Sequence, residues 1–138
     1  MKNSMKLIAI FSTAILFMTI NIAMIQKPGG PWNVPAKYKS MKSTIKAGDA
    51  SINTTGKELF NKHCKSCHGA KGLGDGPKAA ALKTKIVSFT DPAFKSQTDG
   101  DIYYKTNKGR DEMPAYEKKI PDANDRWAMV AYMRFLGK

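Results

Sequence analysis

The sequence predicts an all-α domain of three to five helices, preceded by an apolar leader and a basic linker. Three observations predict it. Apolar residues recur near helical spacing in several runs between Thr55 and Leu136. Hydroxyl or carboxylate residues open these runs, and glycines close them. No alternating stretch is long enough for a convincing strand, and no segment repeats another.

The chain of 138 residues has room for one small domain beyond its leader. Leu7 to Ile25 carries no charged side chain, and Lys2 and Lys6 precede it. A basic start followed by an apolar stretch is the layout of a secretory signal. At 19 residues the stretch exceeds a signal core, which is roughly 7–15 residues, and approaches a membrane span of about 20. Ala23 suits a cleavage site, but Asn21 before it is not small. Residues 1–25 therefore read as a signal peptide or a retained N-terminal anchor. Either way the remainder is exported, to the periplasm or the outer face of the cytoplasmic membrane.

Residues 26–53 are rich in Lys, Pro, Gly and Ser and read as a linker or wrapping extension. Trp32, Tyr38 and Met41 are its apolar points, either pinned to the domain or exposed. The domain proper takes 54–138. Thr55 and Glu58 fit a capping box for a helix through Leu59, Phe60 and His63. Gly69 to Pro77 holds four glycines and a proline and reads as loop. Lys78–Lys83 is Ala-rich and suits a short helix, and a helical turn is expected after Pro92. Thr98 and Asp101 cap a helix that Gly109 stops. Arg110–Ile120 reads as loop. Pro121–Leu136 is the clearest helix, apolar around much of its girth.

Cys64-Lys65-Ser66-Cys67-His68 carries the chemistry. On a helix, Cys64 and Cys67 sit at i and i+3, so both sulfurs project from one face. Two thiols so placed reach two vinyl groups on one side of a porphyrin, and Cys-x-x-Cys-His is the attachment signature of c-type haem. His68 falls on the same side, placed as the proximal iron ligand. A thioredoxin-type dithiol belongs at the strand–helix junction of a βαβ unit, and no such pattern occurs. Structural zinc needs four ligands, and His63, Cys64, Cys67 and His68 would crowd all of them into about one helical turn.

The other face of the iron takes Met, Lys or water. His63 precedes Cys64 on the proximal helix and cannot cross the porphyrin plane. Met113 stands 45 residues beyond His68, in a loop, before Pro114. Proline biases Met113 toward extended backbone, from which a flexible thioether can reach a metal. Met129 and Met133 share one face of the last helix, where Met commonly fills core gaps. With His68 and Met113 as ligands, the iron is closed on both faces and changes only its charge. A thioether favours the ferrous state and raises the potential. An open face would instead permit ligand binding or peroxidatic chemistry.

The formal charge is +12, and removing Lys2 and Lys6 with the leader leaves +10. Haem propionates offset up to two of these. The charges are scattered, with no run of five or six. A plain solvated surface and steering toward redox proteins with acidic docking surfaces both fit. Nucleic acid is not an expected partner of an exported chain without a recognisable nucleic-acid motif.

From Thr55 to Leu136 the chain resembles the class I, monohaem c-type cytochromes. Gly56, Phe60 and Cys64 are similar to the family's N-terminal helix pattern, and Met129-Val130-Ala131-Tyr132-Met133 to its C-terminal helix. The resemblance implies a cytochrome c-like fold around one covalently bound haem c. It implies that Gly56 and Phe60 meet Met129 and Tyr132 at a near-perpendicular crossing. Gly72-Leu73-Gly74-Asp75-Gly76-Pro77 resembles the family's proximal loop, which implies that the Pro77 carbonyl accepts the Nδ1 proton of His68. Met113-Pro114 matches the distal methionine position. The implied function is electron transfer by a monomeric haem domain, not catalysis: a one-electron carrier in a respiratory chain, or a haem c subunit or electron-entry domain of a larger redox enzyme. Lys62, Lys65, Lys71 and Lys78 lie near the motif as candidate docking charges, and Arg110, Tyr116 and Trp127 are candidates to bond propionates.

Overall fold

The computed structural model describes residues 30–138, residue 47 excepted. The apolar stretch 7–25 lies outside the described residues. Among the described residues there are six α-helices and no strand. They are α1 (Ala36–Lys39), α2 (Lys57–His63), α3 (Lys65–His68), α4 (Pro92–Lys95), α5 (Asp99–Lys108) and α6 (Ala123–Leu136). A π-helical turn, Ile52–Gly56, runs into α2, and a 3-10 turn, Ala79–Ala81, stands where a short helix was expected. Three of the six helices are four-residue turns, so the count exceeds three to five while the all-α class holds. No helix of the described residues is long and apolar enough to cross a membrane.

The first long helix starts earlier than expected. Helical backbone begins at Ala50, and Asp49 Oδ1 accepts the amide of Ser51 at 2.8 Å. Thr54 and Thr55 lie inside the π turn, and the backbone at Gly56 is already helical (φ −61°, ψ −46°). The expected Thr55–Glu58 capping box is therefore not made: amides inside a continuous helix already have partners.

This π turn and α2 pack against α6. Gly56 is buried, and a Cβ there would fall on the carbonyl of Ala128 and lie 3.2 Å from Tyr132 Cβ. Only glycine permits so close an approach of two backbones. Phe60 and Met129 are fully buried beside this crossing. The Phe60 ring centroid lies 5.5 Å from that of Tyr132 and 6.0 Å from that of Phe89. Burying such a phenyl ring contributes about 1.5–3 kcal/mol.

α5 opens with the expected box: Thr98 Oγ1 accepts the Asp101 amide at 3.0 Å, and Asp101 Oδ2 accepts the Thr98 amide at 2.9 Å. Gly109 stops it at φ +60°. α6 begins two residues after Pro121, with Asp122 as its cap. Two arginines on α6 satisfy loop carbonyls. Arg126 is buried, donating to the Tyr103 hydroxyl and to the carbonyls of Glu117, Ile120 and Pro121. Arg134 pairs with Asp99 at 2.9 Å and donates to the carbonyls of Phe94, Lys95 and Gln97.

The basic segment ahead of the domain wraps onto it. Val34 is buried, and Tyr38, Met41 and Ile45 pack on the core. The Tyr38 and Tyr104 ring centroids are 4.7 Å apart, and Gly100 of α5 lies directly under the Tyr38 carbonyl.

Gly56→Ala is expected to destabilise the fold by about 1–3 kcal/mol through overpacking. Urea unfolding measures this as a lower midpoint at constant slope, and an unchanged midpoint would rule out the close crossing.

Candidate functional site

The Cys-His turn is a separate helix. α2 ends at Cys64, whose backbone departs from helical values (φ −116°, ψ −35°), and α3 resumes at Lys65. The Cys64 carbonyl accepts the amides of Cys67 at 3.1 Å and His68 at 2.9 Å, so one tight turn holds the three residues. Both cysteines are free thiols. Cys64 is buried with its sulfur 3.9 Å from Met129 Sδ. Burial, and secondarily Cys67, pushes its thiol up to about 12. Redox dithiols require the opposite shift, so a thioredoxin-type role does not fit. Among the described residues no three His, Cys, Asp or Glu side chains converge as a metal cluster.

The glycine loop folds back over the end of α3. The amides of Gly74, Gly76 and Lys78 donate to the carbonyls of His68, Cys67 and Ser66 at 2.8, 3.2 and 2.9 Å. These are carbonyls that a helix C-terminus leaves without intrahelical donors. A Cβ at Gly76 would collide with the backbone of Ser66 and Cys67. The loop thus presses on the turn that holds both thiols.

His68 differs from expectation in one bond. Its Nδ1 is buried and has no hydrogen-bond partner. The bond from Nδ1 to the Pro77 carbonyl is not made, and Pro77 is exposed. The imidazole instead leans on Phe89, 5.1 Å between centroids, and Phe89 stacks on Phe94 at 4.5 Å. Burial lowers the His68 pKa, which keeps the ring neutral and able to bind a metal at neutral pH.

Cys64, Cys67, His68 and Met113 all line one cavity of about 570 Å³. Leu82, Ile86, Val87, Phe94, Ile102 and Met133 supply apolar wall. Met113 arrives on a tight turn: its amide and carbonyl both pair with Arg110, at 2.9 Å each, and Asp111 takes a positive φ of 52°. Gly109 lies beneath this turn, where a Cβ would strike Met113 and Pro114 backbone. Next to Met113, the Glu112 carboxylate accepts the amides of Lys83 at 2.9 Å and Thr84 at 3.0 Å. Those bonds hold Glu112 below the usual carboxylate range. They also join the Met113 turn to the 82–87 wall.

Tyr116 sits under the same turn. Its hydroxyl donates to the His63 carbonyl at 2.8 Å, and burial, followed by the nearby Cys64 and Cys67, pushes its phenol up to about 12. Arg110 and Tyr116 both line the cavity, whereas Trp127 stacks on Tyr103 at 4.0 Å and is not part of the lining. Lys62, Lys65, Lys71 and Lys78 are all exposed. Sequence reasoning missed Glu112 and Phe89, and it left open whether Trp32 is pinned to the domain, where the structure places it in the cavity wall. Nothing local marks a carboxylate that will accept two amides 28 and 29 residues away.

Two thiols on one turn, a half-buried imidazole and apolar walls are a donor set and surroundings that suit a covalently held haem, and Met113 lines the same cavity. With the helical fold they define a monohaem c-type cytochrome. Residues 52–133 match the family described as cytochrome c oxidase, cbb3-type, subunit III, and the chain belongs to that family. A 52-residue stretch is 44% identical to cytochrome c-554(547) of Halothiobacillus neapolitanus. The stretch covers 36% of this chain and 54% of that relative, so the chain spans about half the length of the protein it matches.

Two outcomes test these contacts. Tyr116→Phe should cost about 0.5–1.5 kcal/mol for the lost bond to His63. The phenol is raised in the folded state, so its stabilising share is complete below an unfolded-state pKa of about 10. That share is lost as pH rises toward about 12. Urea titrations at rising alkaline pH should therefore show a steeper loss of stability in the parent than in the Phe variant. Glu112→Ala should speed hydrogen exchange at the Lys83 and Thr84 amides, and unchanged exchange would mean the clasp is absent in solution.

Proposed function

We propose that this chain is a one-electron carrier built on a single haem c, joined through Cys64 and Cys67 and ligated by His68 and Met113. The observation that carries the reading is that these four side chains line one cavity. Haem c, once bound, supplies one reversible one-electron couple. The chain does the rest. His68 is kept neutral by burial and steadied by Phe89, which suits a proximal ligand. Met113 comes from a turn fastened by Arg110 and Glu112, which suits a ligand that must stay in place through both charge states. Met133 also lines the cavity, but it is buried on α6 one turn from Met129, as part of the packed wall. A neutral thioether and apolar surroundings both favour the less charged ferrous state and raise the potential. Small movement of a fastened site keeps reorganisation small.

The partners are redox proteins with acidic docking faces, consistent with the net charge of +12. The place of action is the periplasm or the outer face of the cytoplasmic membrane, within a respiratory chain. The family description favours a second reading, a haem subunit of a larger redox enzyme. A stoichiometric complex that survives high salt would decide for that reading, and a partner released by salt would decide for the carrier.

The experiment is expression of the full chain with a haem c maturation apparatus. Covalent haem should appear in the mass, and the oxidised protein should show a weak sulfur-to-iron band at the red edge of its spectrum. Met113→Ala should abolish that band and open the ferrous protein to rapid carbon monoxide binding. A band that persists unchanged in the variant would overturn the ligand assignment, and a colourless parent protein would overturn the function.

A further inference from the structure

Residues 30–32 lie outside the family-matched segment 52–133, yet all three line the cavity. They are firmly placed there. The Trp32 ring meets Tyr104 edge-on at 6.3 Å, Tyr104 packs on Tyr38, and Val34 just after it is buried. The Arg110 guanidinium lies 4.3 Å above the Trp32 ring centroid and donates to the Pro31 carbonyl at 3.2 Å. Lys105 Nζ stands 5.8 Å from the centroid of the same ring and donates to Gln97 Oε1 at 2.5 Å. Lys105, Arg110 and Gln97 all line the cavity.

Two cations at one indole ring inside a largely apolar cavity call for an anion. Asp111 lies 3.4 Å from Arg110 Nε and offsets part of its charge. Glu112 is taken up by the amides of Lys83 and Thr84. Among the described residues Lys105 makes no ion pair within 4.0 Å. Burial lowers its pKa, Arg110 and Lys39 act in the same sense, and only Asp101, one turn back on α5, opposes them. A half-desolvated ammonium next to a guanidinium is unfavourable until a carboxylate is placed between them.

We propose that Pro31 and Trp32 are working parts of the cofactor site: they hold Arg110 so that it and Lys105 bind the carboxylate side chains of the porphyrin. This inference rests on the haem c reading above. With haem bound, Cys64 and Cys67 would hold its vinyl side, and Arg110 and Lys105 would take its acids. The basic extension then seals the pocket as well as joining the domain to what precedes it.

The test uses the full chain matured with haem, with Lys105→Met, Arg110→Lys, Trp32→Ala and the Trp32→Ala/Arg110→Lys pair. Exposed Lys57→Met is the control for loss of one charge. Haem content by mass and by pyridine haemochrome is measured first, then the midpoint potential by spectroscopic titration. Removing a nearby cation, or admitting water, favours ferric iron. Lys105→Met and Trp32→Ala should each shift the oxidised-to-reduced ratio at a fixed potential by about threefold or more toward oxidised. Arg110→Lys keeps the charge but loses the planar stack and its fixed donors, so it should move the same way. The pair should move no further than Trp32→Ala alone, because both changes unfasten one group. Lys105→Met keeps the aliphatic stem, so a folding defect in the Trp32 variant leaves the test intact. Variants that match Lys57→Met while carrying full haem would overturn this inference alone. A parent chain without covalent haem would overturn the reading beneath it.

Discussion

The contact on which the rest depends is backbone against backbone, where Gly56 meets the carbonyl of Ala128. It fixes how closely the first long helical stretch lies on α6. That distance sets the position of Phe60 one turn on, and of Cys64 one turn beyond, with its sulfur against Met129. The reactive turn is therefore positioned by a helix crossing buried in the core and not by the loops around it. A single missing Cβ is what lets the thiols and the imidazole reach the cavity together.

Around that fixed turn the cavity is assembled from segments with no regular structure of their own. The 69–78 loop, the 82–87 wall, the Met113 turn and the 30–32 extension are held by backbone hydrogen bonds, by the Glu112 carboxylate and by the Arg110 guanidinium. Backbone groups in irregular segments need partners wherever water is excluded. Here Arg126, Arg134 and Glu112 supply several of them. The result is a cavity lined mostly by non-helical residues and fastened by hydrogen bonds between segments distant in the chain.

Much of this was legible in the sequence. The Thr98–Asp101 box, the stop at Gly109, the long last helix and the thiol-histidine spacing are local signals, each complete within a few residues. The close crossing at Gly56 and Phe60, which the family resemblance implied, is also found. The start of the first helix was not legible. The Thr55–Glu58 pair has the right spacing for a cap, but Ile52 needed burial, and the core extended the helix past the local signal. Glu112, Phe89 and Trp32 act across long separations in the chain, and no short window contains both partners.

The way the glycine loop closes α3 has a consequence for the outer face of the molecule. Gly74, Gly76 and Lys78 hold the helix end through main-chain amides alone, so the outward side chains of Lys71, Leu73 and Lys78 have no part in keeping that turn in place. Charge and shape on this face can change without disturbing the turn that carries Cys64, Cys67 and His68. The scaffold thereby separates what the outer face presents from what lines the cavity, and the two are open to independent change.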